Sequence, residues 1–223
     1  MGKTQITIDE GLKQILQDIE TGRNQNFRIK LPVEKLSQML WTFYSVEVEK
    51  RNRDFLNDDN LAEQIIKTAR YLSQDSYSFG LLLTGPCGTG KTTLMLAIRE
   101  LIKHLFKNGT LERMGVEINP EMPLLSAKAI TTQVINNQTI YRRQDILFID
   151  DLGHEPTEFM SYGMIYTPII DLLEARYQMQ KYTVITTNLK SKDLRQKYGE
   201  RIADRFNEMM EIVEFDGETF RVI

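Results

Sequence analysis

From Gly80 onward the chain alternates short apolar runs with longer amphipathic stretches. Each apolar run has the length and composition of a buried strand, and each amphipathic stretch repeats its apolar positions at helical spacing. This alternation is typical of a parallel sheet whose strands are joined by crossover helices. We therefore predict strands at Gly80–Thr84, Pro123–Ser126, Asp145–Asp150, Tyr182–Thr187 and Glu211–Phe215.

The helices between these strands are expected to cover both faces of the sheet, because crossover connections are right-handed. In such folds, ligands bind at the carboxyl ends of the strands. The predicted helices span Thr92–Phe106, the region near Ala127–Asn136, Thr167–Gln178 and Lys192–Glu208, the last with a break near Gly199.

Before Gly80 the apolar positions suggest helices only. A short helix is expected around residues 12–19, where Leu12, Ile15 and Ile19 are suitably spaced. A second helix begins at Pro32, and a third follows the capping residues 57–60 and ends near Ser73. The apolar stripe of the second helix is predicted to contain Leu36, Met39, Leu40, Phe43 and Val46.

Two aromatic residues, Trp41 and Tyr44, fall beside this stripe. Such residues either pack in a core or between domains, or they form a cage for a ligand. The helical spacing favours packing, because stripes of this kind are normally buried.

The composition is that of one domain with a modest additional segment. The 223 residues are 41% apolar, which is enough for a core. The formal charge is −3, from 28 basic and 31 acidic residues, so the chain has no global basic field for binding nucleic acid. Contact with DNA would then come from a local patch.

One cysteine and two histidines allow neither an intrachain disulfide nor a zinc-ligand spacing. The N-terminus has no apolar run of signal-peptide length, and no stretch approaches the ~20 apolar residues of a membrane span. We therefore expect a soluble, cytoplasmic protein with no membrane association.

The stretch between the first strand and the next helix has the pattern G-x-x-x-x-G-K-T of a phosphate-binding P-loop. Its glycines let backbone N–H groups turn toward phosphate oxygens, and the helix N-terminus adds positive potential. Lys91 would neutralise the outer phosphates, and Thr92 would offer its hydroxyl to Mg²⁺. We predict ATP and Mg²⁺ as cofactors. The predicted nucleotide-binding residues are Gly85, Pro86, Cys87, Gly88, Thr89, Gly90, Lys91, Thr92 and Thr93.

Two alternatives apply to this stretch. The whole pattern could be an ordinary strand-to-helix turn, although its position after an apolar strand and before a helix favours the P-loop. Cys87 is either a small side chain tolerated in the loop or a redox switch.

The third strand ends in two acids, Asp150 and Asp151. Asp150 at the carboxyl end of the strand can hold Mg²⁺ through water, as phosphoryl-transfer sites require. Asp151 is predicted to orient and polarise the attacking water. Two acids in this place can also begin a loop or cap a helix, but the preceding P-loop favours the catalytic interpretation.

The fourth strand ends at Asn188, which is expected to lie level with Asp150 near the γ-phosphate. An amide in that place can hydrogen-bond the phosphate or the water without adding charge. By itself, an asparagine after a strand is usually a turn residue.

Arg201 and Arg205 lie four residues apart on one helical face. Arginine complements the spread charge of a transferring phosphoryl group, and a neighbouring subunit can supply it. Alternatively, both arginines belong to a surface helix in which Glu200 and Asp204 provide pairing.

These four elements, in this order, resemble those of the AAA+ ATPases. Walker A is Gly85–Thr92, Walker B is Ile146–Asp151, sensor 1 is Asn188, and an arginine-finger box surrounds Arg205. Within the superfamily the chain is similar to the DnaC-type helicase loaders and the IstB-type transposition ATPases. That similarity rests on three runs, which are Asp150–Gly153, Thr186–Leu189, and Gly199–Arg201 followed by Asp204–Arg205.

The resemblance covers about Phe79 to Arg221 and implies a three-layer α/β P-loop fold with a five-stranded, mainly parallel sheet. It implies an AAA+ ATPase domain at residues 57–223, preceded by a small helical partner-binding segment at residues 1–56. Only 18 residues follow Arg205, too few for a C-terminal lid domain. Most AAA+ proteins carry glutamate where this chain has Asp151, one methylene shorter.

The resemblance also implies that Arg205 reaches the ATP of an adjacent subunit, so that hydrolysis needs self-association. The implied function is an ATPase that places a replicative helicase, or a transposition partner, on DNA. The aromatic helix at Met39–Tyr44 would bind that partner. For single-stranded DNA, the segment 141–143 (Tyr-Arg-Arg) offers stacking and charge, or else it is a solvated loop.

Two other functions stay open at this point. One is a nucleotide-switched interaction protein with negligible hydrolysis. The other is a P-loop kinase for a small molecule, for which an arginine-bearing lid is expected after the fourth strand and is not seen in the sequence.

Overall fold

A five-stranded parallel sheet forms the centre of the protein. The computed structural model describes residues 26–55, 58–74, 76–129, 140–161, 163–216 and 220. The strands of this sheet are β1 (Gly80–Thr84), β2 (Leu124–Ser126), β3 (Ile146–Leu152), β6 (Tyr182–Thr187) and β7 (Met210–Glu214). A separate antiparallel hairpin consists of β4 (Phe159–Ser161) and β5 (Met164–Tyr166).

The strand order in the main sheet is β2-β3-β6-β1-β7, and every neighbouring pair is parallel. All five carboxyl ends therefore meet at one edge. Because β6 lies between β1 and β3, its last residues stand between the P-loop and the two acids near the end of β3, Asp150 and Asp151.

Seven helices surround the sheet in the described part of the chain. They are α1 (Val33–Glu49), α2 (Asp59–Ser73), α3 (Lys91–Lys107), α4 (Thr110–Arg113), α5 (Pro168–Gln178), α6 (Ser191–Tyr198) and α7 (Glu200–Met209). Residues 127–129 and 140–143 are also helical. Local signals explain several ends: the Asp58 carboxylate accepts a hydrogen bond from the Asn60 N–H at 3.0 Å, and Pro168 opens α5.

The predicted α/β fold with a parallel sheet is confirmed, and the five predicted strands are present with ends shifted by at most two residues. The break near Gly199 is also present, between α6 and α7. The hairpin β4–β5 and the short helix α4 were not predicted. The helix expected around residues 12–19 and most of the one near Ala127–Asn136 lie outside the described residues.

Two apolar cores lie on opposite faces of the sheet. One is formed by α1, α2 and α3 against the sheet, and the other by α5, α6 and α7. Phe27 and Ile29, near the beginning of the described chain, belong to the first core together with Leu81 and Val184 of the sheet. Residues on both sides of the proposed boundary at residue 56 thus contribute to one core, and the division into two domains stays a prediction.

The stripe predicted for α1 is wrong at one position. Val46 is 39% exposed, whereas Tyr44 is buried. The buried positions of α1 follow a spacing of four and then three residues, so the helix turns Tyr44 inward and Val46 outward. They are Leu36, Leu40, Tyr44 and Glu47.

Candidate functional site

A cavity of about 770 Å³ opens beside the P-loop at the carboxyl edge of the sheet. The P-loop and the end of β3 form one wall, through Gly88, Gly90, Thr92, Thr93, Asp150 and Asp151. The end of α1, the loop after it and Phe220 form the other, through Tyr44, Val48, residues 51–55 and Phe220. A volume of this size is typical of small-molecule sites.

The P-loop has the compact backbone that its glycines allow. Gly90 has φ +95°, a left-handed conformation that side chains disfavour, and it directly precedes the first residue of α3. Gly85 has φ +140° and lies so close to the Phe215 backbone that a Cβ would overlap it. The Thr89 hydroxyl donates to the Pro86 carbonyl at 2.9 Å and closes the loop. Pro86 and Cys87 are exposed at its tip.

Lys91 is 5% exposed and turns back over the loop. Its Nζ donates to the carbonyl oxygens of Gly85 at 2.8 Å and Pro86 at 2.5 Å. The ammonium therefore lies inside the curve of the loop, where a phosphate held by the loop would meet it.

The P-loop contacts the end of β3 through a hydroxyl and a carboxylate. Thr92 Oγ1 donates to Asp150 Oδ1 at 2.9 Å. The same oxygen accepts a second hydrogen bond at 2.6 Å from Thr186 Oγ1, a buried hydroxyl on β6. The predicted metal-binding residues Thr92 and Asp150 thus lie in contact. The Thr186 hydroxyl holds the Asp150 carboxylate in this position.

The sequence did not identify Thr186. Its only signal was its place in the Thr-Thr-Asn run at the end of an apolar strand, where a buried threonine is ordinary. The strand order gives it a role, because β6 passes between the P-loop and β3.

Asp151 lies at an irregularity of β3. The pairing of β3 with β6 shifts between Ile149 and Leu152, and Asp151 has φ +60° with an exposed side chain. Its N–H donates to Thr186 Oγ1 at 2.9 Å. Bulges next to active sites re-aim side chains, and this one directs consecutive residues, Asp150 and Asp151, into the same cavity.

Asn188 directly follows β6 and is half-buried. It stands beside the carboxyl edge of the sheet, as predicted, but it is absent from the residues lining the cavity in the described structure. Its contact with the γ-phosphate stays a prediction.

Arg205 is engaged within its own chain. Its guanidinium forms an ion pair with Glu174 Oε1 at 2.7 Å and lies 5.0 Å from the ring centre of Tyr177, with 14% of the side chain exposed. Arg201, one turn earlier, contacts the same carboxylate at 3.1 Å and is 70% exposed. The pairing partner is thus on α5, rather than Glu200 or Asp204, and the role of Arg205 in another subunit stays a prediction.

Tyr44 is the second residue of the site that the sequence did not assign. Its hydroxyl lies against Gly90 and hydrogen-bonds the Thr93 side chain. Burial raises the pKa of Tyr44 to about 12, opposed by the positive charge of Arg51 and by the Thr93 hydrogen bond. The interpretation that Tyr44 packs in the protein was correct, because its side chain is buried. The surface against which its hydroxyl packs is the P-loop.

The segment 141–143 is the end of a helix rather than a loop. Arg176, which is fully buried, donates to the carbonyl oxygens of Tyr141 and Gln144, both at 2.8 Å. Tyr141 packs partly against the second core, and Arg143 is exposed. DNA contact by this segment stays a prediction.

The oxygen donors at the cavity suit Mg²⁺, which binds one or two protein oxygens together with water and substrate phosphate. Within the described residues, His, Cys, Asp and Glu nowhere gather in a group of three that could hold a metal alone. Thr92 and Asp150 therefore fit an ion that is shared with a phosphate. None of the described helices combines the length and apolar character of a membrane span.

The family model of the IstB-like ATP binding protein matches residues 43–223. No curated protein matches. Among solved structures, the DnaC helicase loader is 19% identical with a TM-score of 0.53, over 78% of this chain and 99% of that one. A candidate primosome component from Streptococcus pyogenes serotype M3 is also 19% identical with a TM-score of 0.53, over 75% and 85% of the two chains.

Proposed function

The chain belongs to the IstB-like ATP-binding protein family, and we propose that it binds ATP with Mg²⁺ in the cavity beside the P-loop and hydrolyses the nucleotide. The hydrogen bond between Thr92 and Asp150 is the observation that carries this proposal. It places a hydroxyl and a carboxylate, which are ligands that Mg²⁺ prefers, next to the loop that would hold the phosphates.

In this proposal the P-loop holds the triphosphate. The N–H groups of the loop face the phosphate oxygens, and Lys91 exchanges its carbonyl acceptors for charged phosphate oxygens, which are stronger acceptors. When bound, Mg²⁺ would neutralise charge that develops during phosphoryl transfer.

Asp151 would orient the attacking water. Its exposed carboxylate shares the cavity with Asp150, and the Thr186 hydrogen bond holds its backbone. Asn188 would add a hydrogen bond to the water or the phosphate. Each of these groups acts by position and charge, which is how most phosphoryl-transfer sites work.

The base and the ribose would lie against the second wall of the cavity. Val48, Phe55 and Phe220 supply apolar surface there, and Arg51 and Asp54 supply polar groups. This wall belongs to the segment that the sequence assigned to partner binding. Tyr44, Val48 and residues 51–55 would thus belong to the nucleotide site, whatever else this segment binds.

We further propose that the protein acts as a helicase loader or as an adaptor in DNA replication or transposition. The fold shared with the DnaC helicase loader supports this role. Tyr44 is buried against the P-loop and is inaccessible to a partner, so contact through α1 would use exposed positions such as Val46. Single-stranded DNA would bind through exposed basic residues such as Arg143.

Self-association would bring α7 of one subunit to the nucleotide of the next. For Arg205 to act there, its ion pair with Glu174 would have to exchange for a contact with phosphate. Arg201, which is much more exposed, would reach across an interface without leaving a buried position.

The test compares the wild-type protein with Lys91→Ala. Lys103→Ala is the matched control, because Lys103 lies on the same helix and pairs only with Glu100 in the described structure. We expect Lys91→Ala to weaken ATP binding by ~2–5 kcal/mol, roughly 30-fold or more. Binding is measured with a fluorescent ATP analogue and Mg²⁺, and turnover by phosphate release with and without single-stranded DNA.

Equal binding by wild type and Lys91→Ala would contradict the nucleotide site. Capture of partners from the source cell, with and without ATP, tests the loader role. A replicative helicase or transposition protein retained only with ATP supports it. ATP-independent retention, or none of these partners, contradicts it.

A second function is a nucleotide-switched interaction protein with negligible hydrolysis. The engagement of Arg205 with Glu174 supports this function, because Arg205 would have to leave that ion pair before it could contact a phosphate. Background phosphate release in the presence of single-stranded DNA, together with ATP-dependent partner binding, would select this function over the first.

A further inference from the structure

The loop after Asp151 is held by a buried carboxylate that the proposed chemistry does not use. The side chain of Glu155 has no exposed surface. Its Oε2 accepts a hydrogen bond from the Gly153 N–H at 2.9 Å, and its Oε1 accepts one from the Tyr198 hydroxyl. Both oxygens are thus satisfied inside the protein, which a buried carboxylate requires.

Lys197 completes this arrangement. Its Nζ donates to the carbonyl oxygens of Gly153 and Glu155, both at 2.7 Å, and lies 4.0 Å from Glu155 Oε1. Burial, and then the hydrogen bond and charge of Glu155, raise the pKa of Tyr198. The tyrosine therefore stays a hydrogen-bond donor to the carboxylate. We call Glu155, Lys197 and Tyr198 the Glu155 clamp.

The clamp joins two places that matter for the proposed ATPase. At one end, Gly153 and Glu155 follow Asp151 within four residues, along a backbone that is left-handed at both Asp151 (φ +60°) and Gly153 (φ +113°). At the other end, Tyr198 is the last residue of α6, and Gly199 (φ +85°) alone separates it from α7.

We propose that Glu155 is a positioning residue, which couples the nucleotide site to α7 by tying the loop after Asp151 to the junction of α6 and α7. This inference rests on the proposed nucleotide binding. A ligand that favours one position of Asp151 then favours one position of the junction, and the coupling is reciprocal. The position of α7, which carries Arg201 and Arg205, therefore depends on whether nucleotide is bound at the P-loop.

If the clamp only stabilises the fold, the response of α7 to nucleotide does not depend on the clamp. The variants Tyr198→Phe and Glu155→Gln separate the two roles, because each keeps the volume of its side chain and removes a hydroxyl donor or a charge. Arg195→Ala is the matched control. It removes ion pairs with Glu200 and Asp204 across the same junction, but these are exposed and do not contact the loop after Asp151.

The experiment measures amide hydrogen exchange of α7 in the full chain, with and without a non-hydrolysable ATP analogue and Mg²⁺. In the wild type and in Arg195→Ala we expect the analogue to slow this exchange by about fivefold, the size of a coupling of ~1 kcal/mol. In Tyr198→Phe and Glu155→Gln we expect that change to disappear while the Kd of the analogue stays within about twofold of wild type.

The inference is overturned if the analogue slows exchange of α7 in either clamp variant as much as in the wild type. This holds even if the variant unfolds at a lower temperature. It is also overturned if wild-type α7 does not respond although the analogue binds. Failure of the wild type to bind the analogue is a separate result, which would remove the proposed function and this inference with it.

Discussion

The hydroxyl of Tyr44 lies against Gly90, at a place where a Cβ on that glycine would overlap it. A helix from the first third of the chain thus packs directly on the P-loop. Gly90 also has φ +95°, so two independent constraints require glycine at this position. The contact places α1 beside the proposed nucleotide site.

Gly90→Ala should disable nucleotide binding. A side chain in this left-handed backbone costs ~1–3 kcal/mol, and the overlap with Tyr44 adds to that strain. We expect the P-loop to change shape, with at least a tenfold loss of affinity for ATP, about 1.4 kcal/mol. Isothermal titration calorimetry with an ATP analogue and Mg²⁺ measures this change in affinity.

Gly115→Ala is the control for this experiment. Gly115 also has a positive φ (+72°), but a Cβ there would meet open space, and the residue lies outside the cavity. It should lower the thermal midpoint and leave the Kd for ATP unchanged. Equal ATP affinity of Gly90→Ala and wild type would show that the loop tolerates the strain.

Thr186→Val should separate binding from turnover. The substitution keeps the shape of the side chain but removes the donor to Asp150 and the acceptor for the Asp151 N–H. The loss of these buried hydrogen bonds costs about 1–3 kcal/mol. Both aspartates are proposed to act at the terminal phosphate, Asp150 through Mg²⁺ and Asp151 through the attacking water. We therefore expect the kcat for ATP hydrolysis to fall roughly 10-fold or more.

The affinity of Thr186→Val for ADP, which lacks the γ-phosphate, should change little. Thr42→Val, at an exposed position of α1, serves as the control and should match wild type in both measurements. A normal kcat in Thr186→Val would mean that the position of Asp150 does not depend on this hydroxyl.

Arg205→Ala should leave ATP binding intact and remove hydrolysis, if the arginine acts on a neighbouring subunit. Mixing Arg205→Ala with Asp151→Asn subunits should then recover part of the phosphate release, because some interfaces combine an intact Arg205 with an intact Asp151. Absence of recovery at every mixing ratio would argue against a shared site.

Arg201→Ala belongs in the same experiment. Arg201 and Arg205 contact the same Glu174 oxygen, but Arg201 is mostly exposed. Loss of hydrolysis in Arg201→Ala alone, with Arg205→Ala active, would assign the intersubunit role to Arg201.

The stability of the protein should depend on Tyr44 at high pH. The folded pKa of Tyr44 is about 12 and its ordinary value is 10.0. Below pH 10, where the phenol is protonated in both the folded and the unfolded chain, Tyr44 makes its full contribution to stability. As the pH rises from about 10 to about 12, the unfolded chain loses the phenol proton first, so the free energy of unfolding falls, by up to ~3 kcal/mol in total.

Tyr44→Phe should remove this part of the pH dependence. Urea unfolding of both proteins at several pH values between 9 and about 11.5 measures the difference. Three other buried tyrosines also have raised pKa values: Tyr71, Tyr182 and Tyr198. The free energy of unfolding of Tyr44→Phe therefore still falls with pH, but less steeply than that of wild type. Identical slopes would show that Tyr44 ionises freely in the folded protein.

Much of this architecture follows from local sequence. Strand β1, the P-loop and the start of α3 are contiguous, so their types and order can be recognised from residues 80–92 alone. The same is true of Asp150 at the end of a fully apolar strand. Periodicity and turn chemistry act over a few residues, and these features depend on nothing farther away.

The tertiary structure alone decided which distant residues complete the site. Thr186 holds Asp150 because β6 lies between β1 and β3, an order that the apolar pattern does not contain. Tyr44 meets Gly90 because α1 packs on α3, and Glu155 meets Tyr198 across 43 residues of chain. Contacts of this kind depend on how elements pack rather than on their own sequences, so local patterns identify the P-loop and leave its surroundings undetermined.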